Sequence, residues 1–270
     1  MTEKMVSETE GIIKVQRVTA QSPNAKLEII RRRTANFPPS IWGDRFANYD
    51  SQDIITNAEN QQEVNELKEI ARREVFTTSA GDFSHQLKFS DAIQRPGVAY
   101  HFESEIEEAL ERMHAAFRDH DFSDDGDLYN VALGFRLLRQ HGYKVSCDVF
   151  NKFKDENGSF KECLTIDVPG MLSLYEAGHL DVRGEEILDE ALAFTTTHLD
   201  STAQAHGSYE HAEQITQALE RPLRKDLERV CARRYMSIYQ DEASHNEALL
   251  KLAKLDFNLV QSLHKKEPFH

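Results

Sequence analysis

Between Ser104 and Phe117 the apolar residues Ile106, Ala109, Leu110, Met113 and Phe117 fall at i, i+3, i+4, i+7 and i+11. A turn of about 3.6 residues gathers them into one stripe, with Glu105, Glu108, Glu111 and Arg112 on the solvated face. A chain that repeats this pattern has to bury helix stripes against one another. Ser104 and Glu107 fit a capping box at the start of this helix. Asp127 to Gln140 repeats the pattern with Leu128, Val131, Ala132, Phe135 and Leu138, and Gly142 is placed to stop it. Gly184 to Leu199 repeats it with Ile187, Leu188, Ala191, Leu192 and Thr195. Pro169 and Gly178 bracket a further helix, with proline first and glycine last. A shorter helix is predicted from Asp148 to Lys154, before the turn signal Asp155-Glu156-Asn157-Gly158. Residues 200–211 are polar and read as a loop. Helices are predicted again over 212–219, 223–235 and 242–264.

No strand alternation of useful length interrupts this. The predicted fold class is all-α. Paired helices joined by short turns suggest an α/α toroid, with a helical solenoid as the alternative. No period of about 20–50 residues recurs, which argues against a repeat protein. At 270 residues the chain is long enough for one or two domains with a sizeable core. The net charge of −14 argues against nucleic acid or an anionic membrane as partner. No apolar run is long enough to span a bilayer. Residues 1–31 read as a mobile tail. Glu3, Glu8, Glu10 and Glu28 in it are unlike a plastid transit peptide, so a cytoplasmic location is expected. Cys147, Cys163 and Cys231 have no CxxC spacing, and three reduced thiols are expected.

Two Glu-x-x-His pairs, Glu111/His114 and Glu242/His245, lie on predicted helices. With two further glutamates on facing helices they would build a di-iron carboxylate site. With 12 histidines, roughly one such pair arises by chance, and solvated helix faces explain both better. The arginine runs Arg31-Arg32-Arg33, Arg72-Arg73 and Arg233-Arg234 invite an anion, but surface ion pairs are the commoner outcome. Arg32-Arg33 stands apart, because eight residues separate it from Trp42, the only tryptophan. Pro38-Pro39 stiffens the segment between them.

The stretch from Arg32 to Phe46, RRTANFPPSIWGDRF, resembles the start of the plant terpene synthases, and the closest likeness is to the sesquiterpene type. Four more matches follow in order. They are DAIQRPGVAYHF (Asp91–Phe102), LGFRLLRQHGYKVSCDVF (Leu133–Phe150), MLSLYEAG (Met171–Gly178), and ARRY (Ala232–Tyr235) followed by LAKLDFNLVQSLH (Leu252–His264). The resemblance implies a barrel of helices over residues 32–235, with 236–270 opening a second, catalytic helical domain. It implies cyclisation of farnesyl diphosphate with release of diphosphate, using Mg²⁺. Arg32, Arg33 and Trp42 would belong to an arm that caps the substrate and helps to exclude water.

The family's metal motifs do not appear. Asp124-Asp125-Gly126-Asp127 runs into Leu128 and fails DDxxD. Asp241-Glu242-Ala243-Ser244 leads to His245 and fails the second motif. Asp119-His120-Asp121-Phe122 fails DxDD. Where the family continues beyond LHKKE, this sequence reads Glu267-Pro268-Phe269-His270. The expectation is therefore a truncated sesquiterpene synthase-like protein, inactive alone. It would have no catalytic residues, metal or cofactor of its own, and would meet a prenyl diphosphate only if a catalytic domain were supplied. The alternative is a noncatalytic module that pairs with a full-length synthase. The last helix carries Leu249, Leu250, Ala253, Phe257, Val260 and His264 on one side, thickened by Leu252, Leu255, Leu259 and Leu263. This stripe is expected to lie uncovered and to drive self-association.

Overall fold

The computed structural model describes residues 54–76, 83–118, 127–205, 211–243 and 245–266, all within one compact unit spanning 49–270. Among them the regular elements are helical, and one isolated bridge joins Lys154 to Phe160. The fold is all-α. In chain order the helices are α1 (Ile54–Phe76), α2 (Phe83–Gln94), α3 (Glu103–Arg118), α4 (Leu128–Gln140), α5 (Val168–Gly178), α6 (Glu186–Ala205), α7 (Ala212–Glu220), α8 (Glu228–Asp241) and α9 (Glu247–Lys266). Arg32, Arg33, Trp42 and the 1–31 tail lie outside the described residues.

Helix α4 is the centre, because it is buried at Leu128 and at every position from Val131 to Leu138. A helix apolar nearly all round belongs inside a protein, and α4 packs against α2, α3 and α5. Gly134 permits the approach of α3. A Cβ there would come within 2.5 Å of the Phe117 ring. Asp127 caps the start by accepting from the Tyr129 N–H at 2.9 Å. Gly142 ends the helix at φ +83, a conformation glycine adopts freely. The Tyr143 N–H reaches back to the Leu138 carbonyl and the Gly142 N–H to that of Arg139, the paired bonds of a Schellman stop.

The stripes of α3 and α4 are buried at every position named from periodicity. Leu188, Ala191 and Thr195 of α6 are buried, and Ile187 and Leu192 are half-buried. Helix α3 starts one residue earlier than expected. The Ile106 N–H bonds to the Phe102 carbonyl, so Ser104 sits inside the first turn rather than at the cap. Residues 147–153 form a 3-10 helix in place of the expected α-helix. The predicted loop at 200–211 is helical as far as Ala205. Its small polar side chains fold back onto the helix, with the Ser201 and Thr202 hydroxyls donating to carbonyls four residues earlier. Helix α9 begins later than expected, at Glu247, because Asn246 caps it by accepting from the Leu249 N–H at 2.8 Å.

The expected bare stripe on α9 is corrected over its first half. Leu249, Leu250, Leu252 and Ala253 are buried in the main hydrophobic cluster, together with Val64, Leu67 and Ala71 of α1. Helix α1 lies along α9. On α1 these three residues stand at i, i+3 and i+7, a short stripe set among polar residues. Lys251 meets Glu63 at 2.5 Å, and the Asn246 amide donates to Glu74 at 3.0 Å along the seam. Beyond Asp256, residues Phe257, Leu259 and Val260 are half-buried and Leu263 is 59% exposed.

Candidate functional site

Arg136 lies in the run Leu133–Leu138, on a helix that is buried there on all sides. A guanidinium so placed needs a partner, because an unpaired buried charge costs several kcal/mol, about 3–5 when one partner is removed. Helix α2 supplies it in Asp91, which accepts from Arg136 Nη2. Arg95, one turn further along, holds the other carboxylate oxygen at 2.8 Å. The Arg95 guanidinium also lies over the Tyr235 ring of α8, 5.4 Å from its centre. Arg136 Nη1 donates to Gln140 at 3.0 Å. On α5, the buried carboxylate of Glu176 accepts from the Leu223 N–H at 2.9 Å. These contacts form an ionic layer that ties α2 to α4 and α8, and Glu176 of α5 lies in the field of the same two arginines.

The two carboxylates of this layer differ. Burial works against the charge of Asp91, but Arg136 and Arg95 outweigh it and hold its carboxyl below the usual range. Burial dominates at Glu176 and raises its pKa against the pull of the same two arginines. Burial also pushes the Tyr129 hydroxyl up to about 12, and that of Tyr235 well above its ordinary value. The layer is made of bound charges and neutral phenols, with each carboxylate already engaged.

A second polar contact holds α9. The buried Asp256 accepts from the Tyr100 hydroxyl at 2.5 Å and lies 2.9 Å from His101 Nε2. Its other oxygen is buried without a hydrogen-bond partner among the described residues. Burial, then the bond to Asp256, raises the Tyr100 pKa. Next to it a cleft of about 590 Å³ opens between α3, the end of α4 and the start of α8. It is lined by Tyr100, Glu103, Ile106, Glu107, Tyr143 and Glu228 among others.

The Glu-x-x-His pairs are not brought into a metal site. Glu111 is exposed, while His114 lies tilted against the Tyr143 ring with ring centres 4.9 Å apart. His245 Nδ1 meets the Glu242 carbonyl at 2.7 Å, and its Nε2 meets Glu247 at 3.0 Å. Among the described residues no group of three or more His, Cys, Asp and Glu side chains is placed to hold a metal. Mg²⁺ takes near-octahedral oxygen ligands and keeps several waters. Asp91 is filled by two arginines, and Asp256, whose Oδ1 takes a tyrosine and a histidine, has no second carboxylate grouped with it, so the described residues do not fit a magnesium centre. Sequence periodicity missed the ionic layer. The signal was present, in an arginine inside a run that reads as buried on every face.

Comparison with known proteins places this architecture. Residues 41–219 match the family model described as the terpene synthase N-terminal domain. The (-)-alpha-pinene synthase of Fragaria vesca is 66% identical over 243 residues, covering 90% of this chain and 43% of the relative. A putative pinene synthase of Fragaria ananassa is 64% identical over 250 residues, covering 91% of this chain and 96% of the relative. Sesquiterpene synthase 2 of Toona sinensis is 56% identical over 250 residues, covering 92% and 44%. The crystal structure of limonene synthase with 2-fluorolinalyl diphosphate matches at a TM-score of 0.77 and 33% identity, covering 88% of this chain and 44% of that one. The chain spans less than half the length of the Fragaria vesca and Toona relatives, and nearly all of the Fragaria ananassa one. With the family model matched over most of the chain, and the same all-α fold in limonene synthase, this chain belongs to the terpene synthase family and carries its N-terminal domain.

Proposed function

We propose that this chain is a noncatalytic helical scaffold of the sesquiterpene synthase type, inactive by itself toward prenyl diphosphates. The observation that carries this reading is the commitment of its buried carboxylates. Asp91, Glu176 and Asp256 are held by arginines, a backbone N–H, a tyrosine and a histidine inside the fold. Ionising a prenyl diphosphate needs carboxylates free to hold Mg²⁺ against the leaving group. The sequence lacks the family's aspartate-rich motifs as well. Farnesyl diphosphate is the substrate class we assign to the complete machinery, supported by the likeness to a sesquiterpene synthase. The pinene synthases among the relatives make geranyl diphosphate the necessary comparison.

In this reading the chain holds no cofactor of its own, and Mg²⁺ belongs to the full-length synthase. Arg32, Arg33 and Trp42 would form the capping arm, and residues 1–31, 32–235 and 236–270 would be tail, helical domain and the start of a second domain. Glu3, Glu8, Glu10 and Glu28 near the start support a location in the cytoplasm, and the net charge of −14 supports the lack of a nucleic-acid or anionic-membrane partner. The test is incubation of the purified chain with farnesyl or geranyl diphosphate and Mg²⁺, followed by gas chromatography of the extract. No olefin is expected. An olefin above a boiled-protein control overturns the proposal.

A further inference from the structure

We propose that a second copy of this chain docks over the cleft between α3 and the start of α8. In the two-fold pair, Arg224 and Lys225 of each copy meet Glu103, Glu107 and Glu228 of the other. The cleft has an apolar floor with Ile106 and Leu110, and its rim carries the three carboxylates. That combination suits a long basic side chain, whose aliphatic stem covers apolar surface while its charged head reaches the carboxylates.

The charge balance at the rim favours a cation. Glu103 is the first residue of α3 and Glu228 the first of α8. Each helix start contributes only about half a positive charge. Arg229, near enough to act on the Tyr100 hydroxyl, adds one positive charge, and three carboxylates still outweigh it together with the two helix ends. The rim is also fixed in place, because the Tyr100 ring is held through its hydroxyl by Asp256 and lies 4.0 Å from the His101 ring.

The basic partner lies beside the cleft on the same chain. Arg224 and Lys225 precede Glu228 by only a few residues. With Arg233 on α8 they are exposed and make no ion pair among the described residues. Exposed apolar side chains neighbour them along the chain, Leu227 at 69% and Val230 at 36%, and Tyr100 at the cleft is 50% exposed. Adjacent acidic and basic patches around an apolar centre form a self-complementary surface. A two-fold axis crosses the two signs, so that each meets its opposite. On a chain of net charge −14, this is a place where a second copy is met by attraction rather than repulsion.

The test is sedimentation equilibrium of the whole 270-residue chain at micromolar concentration. The wild type is expected to dimerise, and to do so at least tenfold more weakly on going from about 0.1 M to about 1 M salt, where the screening length falls from about 10 to about 3 Å. Arg224→Glu with Lys225→Glu, and separately Glu103→Lys with Glu107→Lys, should each abolish the homodimer. An equimolar mixture of these two variants should dimerise again, which a misfolded variant could not do. A monomeric wild type overturns the proposal. So does a dimer indifferent to both charge reversals, or one lost only on Leu263→Glu, which would place the contact on the distal face of α9.

Discussion

Asp91 and Glu176 share two arginines yet contribute to stability in opposite senses. The Asp91 carboxyl titrates lower in the folded state than its ordinary value of 3.8. Its stabilisation is therefore complete above that value and is lost as pH falls through the lowered pKa. Glu176 is raised above 4.5, so its contribution is greatest below that value and is lost as pH rises through the raised pKa. Asp91→Asn should cost about 3–5 kcal/mol at neutral pH, because it leaves Arg136 buried without its counter-charge. Urea unfolding should show the gap to wild type shrinking below pH 4. Glu176→Gln keeps an acceptor for the Leu223 N–H and should change neutral-pH stability by no more than about 1 kcal/mol. Equal losses for the two variants would contradict this division of roles. The residues themselves were in view in the sequence, since Asp91, Arg95, Arg136 and Glu176 all lie in the stretches that carry the family resemblance. Their pairing was not legible, because it joins positions far apart in the chain across helices whose relative placement no local pattern encodes.

Among the elements, those with full amphipathic stripes were legible from spacing alone, and α3 and α4 are buried where the spacing put them. What spacing could not supply was the identity of each helix's neighbour. The apolar side of α9 looked unprotected because its cover comes from α1, nearly two hundred residues earlier, through a narrow stripe of Val64, Leu67 and Ala71. The start of α9 was misplaced because the Asn246 cap decides it rather than any apolar residue. The consequence reverses the expectation drawn from the sequence. Leu252 is fully buried in this seam, and Leu252→Ala should cost about 2–5 kcal/mol in urea unfolding. Deleting residues 245–270 should lower the thermal midpoint and expose the α1 stripe, which dye binding would report. An unchanged or raised midpoint would show that α9 is dispensable to this core.

At the scale of the molecule, the all-α class and the family were both legible in the sequence, from helical periodicity and five ordered matches. The function of the piece was less so, because carboxylates look alike in a sequence whether they hold a fold or a metal. Asp91, Glu176 and Asp256 each have a protein partner inside the fold, which supports the first role for them. Scaffold and chemistry would then reside in different parts of a synthase, and this chain would supply the first. Calorimetric titration of the purified chain with inorganic diphosphate in the presence of Mg²⁺ tests this most directly, because it does not depend on turnover. The account predicts only heats of dilution. Saturable binding near one diphosphate per chain, lost when Mg²⁺ is chelated, would contradict it.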